Sequence, residues 1–395
     1  MGTGQSHPSR VCCVDTGCLA SSHSSDKGKF GPGGAALALK DGILVLAGNK
    51  GMAVYDTKHI VNRAASEDNT GGDKATLPRI GEIIDTSAIA MHGGCDICFC
   101  EDKWMYVAGG KGLAVFDVSN GCAAPKKVGE TIDTGALNHS SGAALCICDG
   151  YMYVAGGNGL VVFSLKSGAE KPVKLGEVID TGALSHNGGA SMLVVEQGGR
   201  SLLYVLGGKG LAVMDIGASA ANPPRVGEVL ETGCVSSCGC PALCKSGSDE
   251  LMFVAGGKAL RILNVTDPRA PALVGQPINT GVMARSGGSA MVVDTSDQLY
   301  GKTHTLLLAG GKGLGVFTLP NAKDLLCGSS EALSRKGVID TGALSHDNDS
   351  AILLDESTRI LYTAGGNGLA VFDLTKFDGA TVSLSPDDID LAEAD

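Results

Sequence analysis

The chain has 395 residues, 44% of them hydrophobic and 18% charged, a balance that argues against intrinsic disorder and leaves room for a sizeable core. Its net charge of −11 speaks against a general nucleic-acid binder, because neutralising phosphates needs a basic surface. No stretch approaches the roughly 18 apolar residues of a membrane span, and the N-terminus lacks the basic-then-apolar layout of a signal peptide, so a cytoplasmic, reducing location is expected.

Residues 1–9 read as a flexible leader. Their start, MGTGQS, fits the myristoylation pattern M-G-x-x-x-[ST] with Gly2 as acceptor, and a single acyl chain there would add reversible, peripheral membrane contact. Residues 10–375 then carry one repeated pattern. Its first trace, RVCCVDTGCL (10–19), ends in Asp15, Thr16 and Gly17, which match Asp180, Thr181 and Gly182 of a later segment.

The most regular part of the repeat is a hairpin. It appears as VLAGNKGMAVYD (45–56), VAGGKGLAVFD (107–117), VAGGNGLVVFS (154–164), VLGGKGLAVMD (205–215), VAGGKALRILN (254–264), LAGGKGLGVFT (308–318) and TAGGNGLAVFD (363–373). Asn-Gly or Lys-Gly between two apolar runs predicts a tight turn of type I′, with Gly supplying the second positive φ. A small-residue apolar run precedes each hairpin, as in GGAALAL (33–39), SGAALCI (141–147) and GGASMLVV (188–195). A segment such as KVGETIDTG (127–135) or KLGEVIDTG (174–182) follows. Four short strands per unit, at intervals of about 50 residues, are the signature of a propeller blade.

The seventh hairpin is followed by LTKFDGATVSLSPDD, with no outer-strand segment. The missing strand stands at the other end of the chain. The expected fold is therefore an all-β, seven-bladed β-propeller with four-stranded blades, closed by the N-terminal strand pairing into the last blade, which leaves no open edge. Residues 376–395 form an acidic tail whose last ten residues, PDDIDLAEAD, carry five negative charges and no positive one.

LRILNVTDPRAPALVGQPINTG (260–281) and the recurring YVAGG.GLAVFDVS resemble LVIVD-type repeats across nearly all of residues 10–375, which implies the same propeller fold. The motif is structural and implies no catalytic role. Kelch repeats also place a Gly-Gly pair after the second strand, but their Tyr and Trp spacing is absent and the chain has a single Trp, Trp104.

The loops that lead into each blade hold the candidate chemistry. His139 (TGALNHSSG), His186 (TGALSHNGG), His346 (TGALSHDND) and His92 recur near one place at the channel mouth, where several imidazoles could hold a transition metal. Against this, a residue repeated in most blades serves the repeat, whereas catalysis needs unlike residues in separate roles. Two loops break the pattern. ETGCVSSCGCPALC places Cys234, Cys238, Cys240 and Cys244 close together in a spacing without paired C-x2-C knuckles, and NTGVMARSGG puts Arg285 where His186 stands. Most other cysteines, such as Cys98 and Cys146, align with Ala38, Leu193 and Val292 and read as small core residues. Asp96 is unexpected on an otherwise small, apolar inner strand; it would line the channel or bond a neighbouring backbone group.

The turns offer a second constellation. Lys50, Lys111, Lys209, Lys258 and Lys312, with Asn158 and Asn367 at the same position, should ring the face that carries the histidine loops. A locally basic ring on an acidic protein would attract an acidic protein segment. On the opposite face, the long connections 57–78 and 319–334 compete as the binding surface. The sequence thus points to a non-catalytic binding or scaffold propeller that engages a protein partner and needs no cofactor; the alternative is a metal-dependent enzyme using His92, His139, His186 and His346, or the four clustered cysteines, at the channel mouth.

Overall fold

The computed structural model describes residues 9–14, 16, 18–19, 34–58, 60, 77–90, 93–235, 239–248, 250–257, 259–284, 287–295, 304–320, 322–326, 333–345 and 349–375. Each hairpin is an antiparallel ladder, and seven small sheets result. From the axis outward, blade 2 contains Asp96–Cys100, Trp104–Gly109, Gly112–Asp117 and Lys126–Ile132. Blade 3 contains Ala144–Cys148, Tyr151–Gly156, Gly159–Ser164 and Val173–Ile179, and blade 4 contains Ala190–Gln197, Arg200–Gly207, Gly210–Asp215 and Arg225–Leu230. Blades 5 and 6 repeat the order with inner strands Ala242–Lys245 and Ala290–Asp294 and outer strands Ala272–Ile278 and Ser334–Ile339. Each inner strand touches those of the two neighbouring blades, and the inner strand of blade 7, Ala351–Asp355, touches that of blade 1, Ala35–Lys40. The chain is a closed seven-bladed propeller.

Closure comes from the N-terminus. Ser9–Val14 runs antiparallel to Gly368–Asp373, with Cys12 opposite Val371 and Val14 opposite Leu369, and so supplies the outer strand of blade 7. Blade 1 departs from the expected four strands. Its outer position is taken by residues 78–84, which make four backbone hydrogen bonds but only two isolated bridges, Met52 with Ile84 and Tyr55 with Arg79. Pro78 accepts the bond of Asp56 N–H and has no N–H to extend the ladder.

The core is divided among seven wedges, each between two blades. Between blades 2 and 3, Tyr106, Val115 and Leu113 pack against Met152, Val154 and Phe163. Between blades 7 and 1, Tyr362 and Val371 pack against Leu46 and Tyr55. The buried tyrosines also tie blades together through their polar ends: Tyr106 Oη donates to Ala169 O at 2.6 Å and Tyr153 Oη to Ala220 O at 3.3 Å, in each case on the following blade.

The hairpin turn differs from the expected type. Gly156 pairs with Gly159, so the two loop residues are Gly157 and Asn158, and neither has positive φ; the positive φ, 140°, falls on Gly159. The same offset holds at Gly112 and Gly368. Packing explains the glycines better than turn type does. A Cβ on Gly159 would lie 2.7 Å from Ile179 O of its own outer strand, and one on Gly156 would lie 2.9 Å from Ala136 O of the loop entering the blade. Side chains are excluded because three segments meet there.

Among the described residues no helix is long and apolar enough to cross a membrane. Deleting residues 1–17 removes the outer strand of blade 7 and exposes the ladder of Gly368–Asp373. Stability should fall by several kcal/mol, at about 1 kcal/mol per lost hydrogen bond, in urea denaturation. Adding the excised peptide in trans should restore part of the loss; a truncated protein as stable as the full chain would exclude this mode of closure.

Candidate functional site

The loop entering a blade and the hairpin turn of that blade lie on one face, joined by a repeated backbone bond. Lys50, Lys111, Asn158, Lys209, Lys312 and Asn367 each donate their N–H to a loop carbonyl, that of Cys18, Ala88, Ala136, Ala183, Val282 and Ala343 respectively, at 2.8–3.0 Å. The loops are held from within as well. Asp133 and Thr134 accept the N–H groups of Gly135 and Ala136 at 2.9 and 3.2 Å, and Asp180–Thr181 and Asp340–Thr341 repeat the arrangement.

Lys50, Lys111, Lys209 and Lys312 are exposed and form no ion pair with another described residue, whereas Lys258 and Arg285 lie outside the described residues. The face is mixed in charge. Asp133 directly follows Ile132, whose carbonyl packs on Gly112 beside Lys111, and Asp85, Asp180 and Asp340 occupy the same place in their loops, all exposed. Turn lysines therefore alternate with loop carboxylates.

His186 belongs to a polar network that crosses blades. Its Nδ1 lies 3.1 Å from Asn158 Oδ1, and Asn138 Nδ2 donates to His186 O at 2.8 Å and to Asn158 Oδ1 at 3.3 Å. His139 is exposed, and His92 and His346, like Gly2, lie outside the described residues. The clustered cysteines separate. Cys234 is fully buried between blades 4 and 5, Cys244 is half-buried on the inner strand of blade 5, Cys240 stands at the axis, and Cys238 is outside the described residues. Among the described residues no three His, Cys, Asp or Glu side chains are placed to share a metal ion.

At the axis the repeat brings together the residues just before the inner strands. Five blades place glycine there: Gly34, Gly94, Gly142, Gly189 and Gly288. Their backbones meet so closely that a Cβ on Gly94 would lie 2.9 Å from Gly142 Cα, and one on Gly142 would lie 2.9 Å from Gly189 Cα. Blades 5 and 7 place Cys240 and Asp349 in the same ring, and Cys240 Sγ–H donates to Asp349 Oδ2 at 2.9 Å across the neck. Both channel roles foreseen for Asp96 hold: it lines the axial cavity, and its carboxylate accepts Leu145 N–H of the next blade at 2.7 Å and Ile97 N–H at 2.8 Å.

Burial governs the ionisation of this neck. It raises Asp96 and Asp349 to about 6, against the partial compensation of the hydrogen bonds each accepts. Burial also pushes Cys240 and Cys95 well above the ordinary thiol value, with the nearby carboxylates adding to it, so both stay protonated and are poor nucleophiles. Sequence reasoning singled out Asp96 and Cys240 and missed Asp349. The signal was available: in HDNDS, Asp349 aligns with the second glycine of the Gly-Gly pair that opens the inner strand elsewhere.

Residues 96–127 and 143–163 match the LVIVD repeat family; they cover the inner three strands of blades 2 and 3. No curated protein matches the chain. Among solved structures, a functionally unknown protein from Desulfotomaculum acetoxidans DSM 771 is 12% identical with a TM-score of 0.55, the match covering 87% of this chain and 93% of that one. Streptogramin B lyase is 9% identical with a TM-score of 0.50 over 87% and 93%. The N-terminal domain of Nup159 is 12% identical with a TM-score of 0.48 over 90% and 97%. The first two likenesses are of fold alone.

The raised carboxylates give the neck a pH signature. A carboxyl group at about 6 in the folded chain and near 3.8 unfolded favours folding most below pH 4, and that contribution is lost as pH rises through 6. Asp349→Asn removes one such group while keeping an acceptor for the Cys240 thiol. In metal-free buffer the variant's stability relative to the natural chain should rise by up to about 3 kcal/mol between pH 4 and pH 7, at about 1.4 kcal/mol per pKa unit. Urea denaturation across that range tests it, and a constant difference would show that Asp349 titrates normally.

Proposed function

We propose that this LVIVD-repeat propeller is a non-catalytic binding module that engages a protein partner through the face carrying its hairpin turns. The observation that carries this reading is the set of exposed lysines, Lys50, Lys111, Lys209 and Lys312, at equivalent turn positions and each fixed to its entry loop by the same backbone hydrogen bond. Charges presented on a pre-organised ring cost little further ordering on association, which favours docking of an extended or acidic segment. Lys258 and Arg285 extend the ring by sequence. The alternating aspartates make the surface selective: a partner must place its carboxylates over the turns and its basic groups over the loops.

Repetition supports binding over chemistry. The equivalent residues recur from blade to blade without the unlike partners that a catalytic constellation requires, and His186 is engaged with Asn158 in joining a loop to a turn. Gly2 myristoylation, where it occurs, would add a membrane-proximal location to the same binding role.

The test uses the full chain as bait in affinity capture from its native source, then measures association of the captured partner. Reversing Lys111, Lys209 and Lys312 together to Glu should slow association about tenfold or more at low salt, with the difference shrinking as salt rises. Folding stability should change by less than about 0.5 kcal/mol per site, since these are exposed turn positions. A second variant with shortened 57–78 and 319–334 connections should keep the partner. Loss of binding in the second variant with retention in the first would move the interaction to the opposite face.

A further inference from the structure

The axial neck is built from residues that break the repeat. Asp349 replaces a ring glycine, and its carboxylate and the Cys240 thiol together fill the opening that glycines leave in the other five blades: a Cβ on Gly94 would meet Asp349 Oδ2 and Cys240 Sγ, each at 3.0 Å. Beside this plug lies a cavity of about 170 Å³ lined by Asp96, Asp349, Ser289 and Ser350, together with Met192, Cys240 and small residues in and just before the inner strands. Among the described residues no Lys, Arg or His lines it.

Several polar atoms around this cavity have no partner among the described residues. Asp349, Ser289 and Ser350 are 4%, 5% and 7% exposed. Oδ1 of Asp349 and the hydroxyl oxygens of Ser289 and Ser350 are buried and unbonded. Buried oxygens of this kind are normally satisfied, by protein or by something bound. Two carboxylates from blades 2 and 7 therefore face one small chamber with spare lone pairs and, among the described residues, no basic side chain.

We propose that the chamber is a binding site for a hard divalent cation of the Ca²⁺ or Mg²⁺ class, held by the Asp349 and Asp96 carboxylates and the Ser289 and Ser350 hydroxyls, with water completing its shell. Oxygen donors select hard cations, and ions that retain water are commonly held by only one or two carboxylates. A fully protein-ligated soft ion does not suit the site, since no three His, Cys, Asp or Glu side chains converge among the described residues and the neighbouring Cys240 thiol keeps its proton for Asp349. The volume accommodates an ion with several waters, for one water needs only about 10–15 Å³ of such space. The ion would join blades 2, 6 and 7 across the axis.

The experiment uses the full-length chain, stripped with chelator and dialysed. CaCl2 and MgCl2 are titrated separately, with NaCl of equal ionic strength as control, while Tm and bound metal by equilibrium dialysis are followed. One of the two ions should bind with a stoichiometry near one and raise Tm saturably. Asp349→Gly, which restores the residue of the five other blades, and Asp96→Asn should each weaken that affinity at least tenfold, and Ser289→Ala with Ser350→Ala should weaken it less. A preference for Mg²⁺ would indicate that the ion keeps most of its water, and a preference for Ca²⁺ that it sheds it. No saturable binding beyond the NaCl control would overturn the proposal and leave the chamber to water alone; binding that persists in both folded carboxylate variants would overturn it by locating the ion elsewhere.

Discussion

A blade of this protein is a small twisted sheet that is apolar on both faces, and no blade can bury those faces by itself. Each face is covered only by the next blade, so the stability of every blade depends on its neighbours and the arrangement holds only when the ring is complete. Seven interblade wedges are the result, four of them containing Tyr55 with Tyr362, Tyr106, Tyr153 or Tyr204 and the other three Phe116, Phe253 with Phe317, or Phe372. That requirement explains why the outer strand of the last blade is drawn from the opposite end of the chain. A ring joined by Ser9–Val14 has no unpaired seam.

Closure also accounts for the glycine content. Wherever the ring crowds backbone against backbone, a side chain is excluded. Gly156, Gly157 and Gly159 meet three different segments at one hairpin: the loop entering the blade, the loop leaving it, and the blade's own outer strand. At the axis the second glycine of each Gly-Gly pair lets the inner strands converge. The two faces of function proposed for the molecule arise from these crowded places. Turn lysines are displayed because their backbone is pinned to a loop, and the axial carboxylates are buried because the inner strands converge around them.

Asp349 and Cys240 illustrate how a repeat acquires individuality. Copying a motif seven times yields a symmetric scaffold, and the exceptions carry information because the scaffold does not require them. A glycine at position 349 would satisfy the ring. The chain instead places a carboxylate there, pairs it with a thiol from two blades away, and sets Asp96 nearby along the axis. Other exceptions are structural: the ion pair of Arg359 with Asp294 at 2.5 Å joins blades 6 and 7, and that of Lys40 with Asp102 at 2.6 Å joins blades 1 and 2.

Much of this architecture was legible from the amino-acid sequence. The hairpins, the four-strand unit, the seven copies and the N-terminal closing strand all follow from local signals: alternating apolar residues, glycine punctuation, and the match of Asp15, Thr16 and Gly17 to Asp180, Thr181 and Gly182. Strand pairing inside a blade joins residues close in the chain, so a short window contains what decides it. The turn geometry did not follow, because the glycine after Asn158 answers to Ile179 O rather than to the turn. The dispersal of Cys234, Cys240 and Cys244 was legible only in part: entry into a strand turns successive side chains apart, but the ring decided that Cys234 lies between blades 4 and 5, Cys244 packs between blades 5 and 6, and Cys240 stands at the axis. Only the closed ring decided the axial site. Residues 240 and 349, separated by 109 positions, come within hydrogen-bond distance because seven inner strands converge on one line, and no local pattern encodes which two exceptions will face each other there.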